Sequence, residues 1–512
     1  MAAAEQSGPT ASPLLQWLAR WAEGPPRNFL ATPAGEEMSY QALAQSVARY
    51  ATALQQLHVA PGERVLVRLE KSPQLFLIYL ACLRLGAVFV PVNPACTAPE
   101  LDYLLRDAAP RLALLSAGES TGLEPLVAAA GCARLETLGP AGEGSLGARA
   151  RQAAPHAARA VAASAVAAIL YTSGTTGRPK GAMLSHASLA ANAAALAQAW
   201  HFTDTDVLLH ALPLFHVHGL FVALNTVLAC GARVLMLPRF EAAEVLQRLP
   251  AATVFMGVPT YYTRLLQQPA LDRDRTRAVR LFVCGSAPLP AATHALFLAR
   301  TGHSILERYG MTETLMSTSN PYDGPRLPGS VGTALAGVRL RVRASEGVAA
   351  DQGEVGMLEV RGPSLFAGYW RDEARTRAAF SADGWFRTGD LGRIDERGYV
   401  WLAGRAGDLI ISGGLNVYPR EVEEQLEAIT GVLESAVFGV PHADFGEAVT
   451  AAVVAAPGAQ LAEAQLLAQL RARLSAYKLP KRIVFVAELP RNAMGKVRKD
   501  QLRARYAGLH GG

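Results

Sequence analysis

Thr172-Ser173-Gly174-Thr175-Thr176-Gly177-Arg178-Pro179-Lys180-Gly181 packs hydroxyls, glycines and one lysine into a single short run. Such a loop suits a polyphosphate. Glycines let backbone N–H groups approach anionic oxygens, and hydroxyls and an ammonium add further donors. It is not a P-loop, which needs G-x-x-x-x-G-K-[ST] between a strand and a helix. Here Ala167–Tyr171 and Gly181–Leu184 both read as strands, so the run is expected at a hairpin tip, with a helix starting near Ala187. Taken alone, it is also compatible with an ordinary surface turn.

Outward from this loop, short apolar runs alternate with helical patterns. Val65–Leu69, Val88–Val92, Leu112–Leu115, Val234–Leu237, Val254–Val258 and Leu281–Cys284 read as buried strands, and Ser72–Leu85 and Ala291–Ala299 as helices. This alternation predicts an α/β domain with mostly parallel sheets over residues 1–403. After Trp401 the pattern changes. A connector, Gly404-Arg405-Ala406-Gly407-Asp408, precedes a helix beginning at Pro419, strands at Ser435–Val440 and Ala448–Ala455, a helix at Glu463–Leu474 and a strand at Ile483–Val486. A hinge at 404–408 and a small α+β domain over 409–512 follow from that reading.

Composition narrows the function classes. The 512 residues are half hydrophobic and 18% charged, which is globular. A net charge of +6 without dense basic blocks argues against nucleic acid and mildly favours anionic substrates. Cys82, Cys96, Cys132, Cys230 and Cys284 are scattered and lack metal or disulfide spacing, so a reducing, cytoplasmic setting is expected. Met1–Gln6 carries no leader pattern. Leu75–Val92, the most apolar stretch, is broken by Arg84 and Gly86 and reads as a buried helix and strand, not a membrane span. No obligatory protein partner is indicated.

Four more clusters accompany the loop: Glu307-Arg308-Tyr309-Gly310-Met311-Thr312-Glu313-Thr314, Trp385-Phe386-Arg387-Thr388-Gly389-Asp390, the Arg405–Asp408 connector, and Pro490-Arg491-Asn492-Ala493-Met494-Gly495-Lys496. Each alone has a structural explanation. Together and in this order they resemble the adenylate-forming superfamily of acyl-CoA synthetases, carrier-loading adenylation domains and luciferases, from about Phe29 to Tyr506. Within it, the runs His210–Leu220, Met256–Leu266, Thr318–Gly324 and Pro441–Glu447 are most similar to malonyl-CoA synthetases.

That resemblance implies a two-step, ATP- and CoA-dependent ligation through an acyl-adenylate, with Mg²⁺ as cofactor. Thr172, Ser173, Gly174, Thr175, Thr176, Gly177 and Lys180 would hold the β- and γ-phosphates. Glu313 matches the metal carboxylate and Thr312 its phosphate-binding neighbour. Tyr309 and Gly310, with Gly285, Ser286 and Ala287, would flank adenine, while Asp390 and Arg405 would hold the ribose. Lys496 would catalyse the first step. Ser412, Gly413 and Gly414 would lie near the CoA arm after a swing about Gly407, a position usually Lys or Asp in the family. His216, Met311, Ser286 and Arg264 would form the acid pocket.

Malonate would need its second carboxylate neutralised inside that pocket, and a planar guanidinium is the suited partner. Arg264 is the expected reader, although spacing alone would make it a solvent-facing helix arginine. His218 is expected either to add polarity or to serve as a packed histidine. Rival readings are a synthetase for an aryl or fatty acid, a carrier-protein ligase, and a non-catalytic acyl-adenylate-binding module, which would have no need of Lys496.

Overall fold

The computed structural model describes residues 11–172, 179–345, 348–442, 444–492 and 495–509. Two largely parallel sheets organise the large domain. In the first, Leu135–Thr137, Leu112–Leu115, Arg64–Arg68, Val88–Pro91 and Val166–Thr172 run parallel in that spatial order. Lys180–Ser185 and Gly368–Tyr369 then add antiparallel strands. In the second, Asn28–Ala31, Arg233–Met236, Val207–His210, Val254–Gly257, Leu281–Cys284 and Leu306–Met311 are parallel, and Glu37–Ser39, Leu315–Ser319 and Thr333–Ala334 form antiparallel edges.

Leu75–Leu83 is buried on every side of the helix Pro73–Leu85, as its all-round apolar sequence requires. Gly86, in the left-handed conformation at φ 77°, ends that helix and turns the chain into Val88–Pro91. Among the described residues no helix is long and apolar enough to cross a membrane.

A third sheet interrupts the α/β alternation. Val348–Ala349, Arg339–Ser345, Gly356–Arg361, Phe386–Ile394 and Val400–Arg405 are all antiparallel. The sequence reading missed it because it sought continuous apolar runs. Arg339-Leu340-Arg341-Val342-Arg343 instead alternates charged and apolar residues, the mark of a half-exposed antiparallel strand. This sheet carries Asp390 and Arg405.

From Ile410 onward the chain builds its own cores. Ile410, Val422, Leu426, Val437, Val449 and Leu466 pack together on one side of the C-terminal sheet, and Phe438, Val440, Leu489 and Leu502 on the other. At about 1.5–3 kcal/mol per buried large aliphatic or aromatic side chain, these clusters are substantial for a unit of this size. Gly446–Ala455 is the central strand, antiparallel to Val432–His442 and parallel to Arg482–Phe485.

Candidate active site

The hairpin expected at the phosphate loop is present. Val166–Thr172 pairs antiparallel with Lys180–Ser185, and Thr172 stands opposite Lys180. Ser185 caps the following helix, His186–Ala199, by accepting from Ser188 N–H. Ser173, Gly174, Thr175, Thr176 and Gly177 lie outside the described residues. Both feet of the hairpin are fastened: Tyr103 Oη donates to Pro179 O at 2.8 Å and Tyr171 Oη to Asp107 Oδ2 at 2.5 Å. Thr172 Oγ1 is buried without a partner among the described residues.

Lys180 Nζ lies 2.9 Å from Glu313 Oε1 and donates to Tyr369 Oη at 2.6 Å, while Tyr369 Oη donates to the same carboxylate oxygen at 2.9 Å. Glu313 is only 2% exposed, so this pairing compensates a charge that would otherwise be costly to bury. Burial and the Glu313 charge both push the Tyr369 phenol up, which keeps it a donor. Thr312, beside Glu313, is buried. No cluster of three or more metal-binding side chains exists among the described residues. One buried carboxylate beside a phosphate loop does fit Mg²⁺, which takes few protein ligands and accepts phosphate oxygens and waters.

Among the residues expected at the nucleoside, Tyr309 Oη donates to Asp390 Oδ2 at 2.6 Å, and Arg405 Nε lies 3.1 Å from Asp390 Oδ1. Asp390 and Arg405 are cross-strand partners, so the sheet register sets this pair. The Asp390 charge is the main reason the Arg405 guanidinium is held above its ordinary range. Tyr309 packs with Val331, Leu358 and Val400. Gly310 admits no side chain, since a Cβ there would sit 1.9 Å from Leu315 O. Ser286, flanked by Gly285 and Ala287, holds φ at 73°, a strained conformation of the kind that accumulates at functional sites.

Beside the residues expected at the acid lies one that the sequence reading did not single out. Arg308 is 4% exposed, and its Nε and Nη2 are buried without partners among the described residues. Its guanidinium lies over Gly285, where a Cβ would come within 2.4 Å of Arg308 Cζ. Burial lowers it to about 10. Ser286 Oγ lies 3.3 Å from His218 Nδ1, and His216 Nδ1 accepts from His218 N–H at 3.3 Å. Burial, with Lys496 and Arg308 adding repulsion, pushes His216 down to about 3 and keeps it neutral. Met311 is half-buried against the main core.

Arg264 is exposed rather than buried, contrary to the expectation of a deep arginine. It sits on the helix Pro259–Leu266 and lines a cavity of about 220 Å³ with Leu212, Pro213 and Val258. Arg491, Asn492 and Gly495 from the C-terminal domain close the same cavity.

Lys496 reaches this centre from the other domain. Its turn is held by Asn492, whose Oδ1 accepts from Lys496 N–H at 3.0 Å, and Gly495 packs against Thr260. The residue is exposed, yet enough protein lies around its ammonium to enclose it in part. That enclosure lowers the ammonium below an ordinary lysine; Arg405 lowers it further, and Asp390 and Glu313 oppose the shift. Ser412, Gly413 and Gly414 instead form a hairpin turn between Ile410–Ser412 and Leu415–Val417, with φ of 58° and 79° at the glycines. Gly413 N–H donates to Phe445 O at 2.9 Å, within the C-terminal domain.

Arg308 and Tyr369 are the site residues that sequence reasoning missed. A charge inside the otherwise buried strand Leu306–Met311 was the available signal for Arg308. Nothing local distinguishes Tyr369.

Residues 18–370 match the AMP-binding enzyme family, and residues 421–496 match the AMP-binding enzyme C-terminal domain. The chain belongs to the AMP-binding enzyme family, and its class is that of the AMP-forming ligases. It is 49% identical to ATP-bound MatB from Rhodopseudomonas palustris, with a TM-score of 0.95 over 98% of this chain and 100% of that one. Against apo MatB, at the same identity and coverage, the TM-score is 0.86. It is also 42% identical over 373 residues to the mitochondrial malonate–CoA ligase ACSF3 of Mus musculus, a match spanning 66% of this chain and 64% of that protein. An indoleacetate–CoA ligase of Aromatoleum aromaticum is 35% identical over 96% of this chain and 97% of its own length.

Proposed function

We propose that this protein ligates malonate to CoA, releasing AMP and pyrophosphate. The observation that carries the choice of acid is Arg308: a buried guanidinium without a carboxylate partner among the described residues, beside Ser286 and the paired histidines. A monocarboxylate would leave that charge uncompensated, whereas a short diacid brings the missing anion. The ACSF3 similarity supports the same reading. Methylmalonate is a plausible second substrate, since one methyl group changes pocket fit by about 1–3 kcal/mol.

In the first step a carboxylate oxygen of malonate attacks the α-phosphate of ATP, the α–β bond breaks, and malonyl-AMP and pyrophosphate form. Lys180, Thr172 and the adjoining loop orient the triphosphate. Glu313, with phosphate oxygens, would hold a magnesium ion, which when bound neutralises phosphate charge. Asp390 and Arg405 hold the ribose, and Tyr309 and the Gly285–Ala287 turn bound the adenine. Lys496 stabilises the charge developing between the attacking carboxylate and the α-phosphate. His216, neutral, presents a hydrogen-bonding wall without competing for the anion. Arg264 assists from the cavity rim as Arg308 holds the distal carboxylate.

In the second step the CoA thiolate attacks the acyl carbon and AMP leaves. The C-terminal domain, residues 409–512, would turn about the 404–408 segment against residues 1–403. That motion withdraws Lys496 and brings the Ser412–Gly414 turn toward the CoA arm.

A panel of acids in a pyrophosphate-release assay, with and without CoA, tests this reading. Malonate is expected to give release and, with CoA, a thioester. An aryl acid outperforming malonate would instead support the second reading, which the full-length indoleacetate–CoA ligase similarity favours.

A further inference from the structure

The structure gives Gly407 no steric reason to be glycine. A Cβ there would meet nothing within 4 Å, and its φ lies outside the left-handed region. What a glycine supplies at such a place is torsional freedom.

The residues on either side are fastened to different domains. Arg405 is paired with Asp390 through both the strand register and the 3.1 Å ion pair, which ties it to the large domain. Asp408 Oδ1 lies 2.6 Å from Arg503 Nη2. Arg503 belongs to the helix Lys499–Arg505, whose Leu502 is buried beneath Phe438 and Val440 in the C-terminal core. Two residues further on, Ile410 is buried in the other C-terminal core. Between these ties lie Ala406 and Gly407, both exposed, in a single 3-10 turn closed by Leu409 N–H donating to Ala406 O at 3.4 Å.

We propose that Arg503 is a positioning residue for catalysis: by clamping Asp408 to the C-terminal domain, it confines the hinge to Ala406–Gly407 and so sets where Lys496 arrives. This rests on the domain alternation proposed above. A glycine pivot alone would let the domain dock in many orientations, and the adjacent ion pair supplies the definition.

The test measures the two half-reactions separately: pyrophosphate release from ATP and malonate, and thioester formation from supplied malonyl-AMP. Arg503→Gln and Asp408→Asn are each expected to lower kcat for pyrophosphate release by about threefold or more, with the KM for ATP unchanged, since the large-domain contacts to ATP are untouched. Arg503→Lys should recover much of the rate, as should the charge reversal Asp408→Arg with Arg503→Asp. Wild-type rates in both single variants would overturn the proposal. So would a loss that follows a lowered Tm and is not recovered by the lysine or reversal variants. Lys496→Ala run in parallel separates the failures: equal loss of both half-reactions there would overturn the alternation itself, whatever Arg503→Gln does.

Discussion

Lys180 and Glu313, far apart in sequence, meet at 2.9 Å with Tyr369 Oη bridging them. The cation proposed to bind phosphate and the carboxylate proposed to hold the metal thus neutralise each other. Mg·ATP can part them without leaving either buried charge unpaired, since phosphate takes the ammonium and the metal takes the carboxylate.

Tyr369 should therefore matter for ATP and not for the acid. Tyr369→Phe removes one hydrogen bond to each partner and is expected to raise the KM for ATP about five- to tenfold, with the KM for malonate unchanged. Initial-rate kinetics with each substrate varied in turn checks this.

Lys496→Ala should lower pyrophosphate release by about a hundredfold or more, because its ammonium acts on charge present only in the adenylation transition state. Thioester formation from supplied malonyl-AMP should remain within a few-fold of wild type. Rapid-quench measurement of each half-reaction reads the difference.

Arg308→Met keeps the volume and removes the charge. Loss of a buried charge-assisted pair should raise the KM for malonate by about 10- to 150-fold and improve propionate relative to malonate. Arg264→Leu, at an exposed position, should have the smaller effect on the same ratio. An unchanged malonate KM in Arg308→Met would remove Arg308 from the pocket.

Glu307 links the site strand to stability. Burial raises its carboxyl to about 7, against the opposing pulls of Gly329 N–H, Arg420 and Leu289 N–H. The folded state thus binds a proton that the unfolded state releases near 4.5, so the contribution is full below that pH and is lost as pH rises through about 7. Glu307→Gln should melt higher than wild type at pH 8, by up to about 3 kcal/mol in unfolding free energy, with the gap closing toward pH 5. Thermal melts across that range provide the check.

Much of the site was legible locally. The loop at Thr172–Lys180, the Tyr309–Glu313 run, Asp390 and Lys496 each lie in short segments whose residue types suit their chemistry. The strands on either side of the loop followed from apolar runs. The antiparallel sheet at 339–405 escaped because its strands are half-exposed and carry arginines on alternate positions.

The chain order alone determined the superfamily and the α/β plan, and it singled out the residues proposed to bind ATP, because these rest on contiguous motifs and on the periodicity of burial. Only the tertiary structure decided that Arg308 is buried with Nε and Nη2 unpartnered among the described residues while Arg264 is exposed, that Tyr369 joins Lys180 to Glu313, and that Asp408 belongs with Arg503. The reason is physical. Burial and charge pairing are set by which distant strands and helices pack together, and no local pattern of residues encodes the neighbours a side chain will meet.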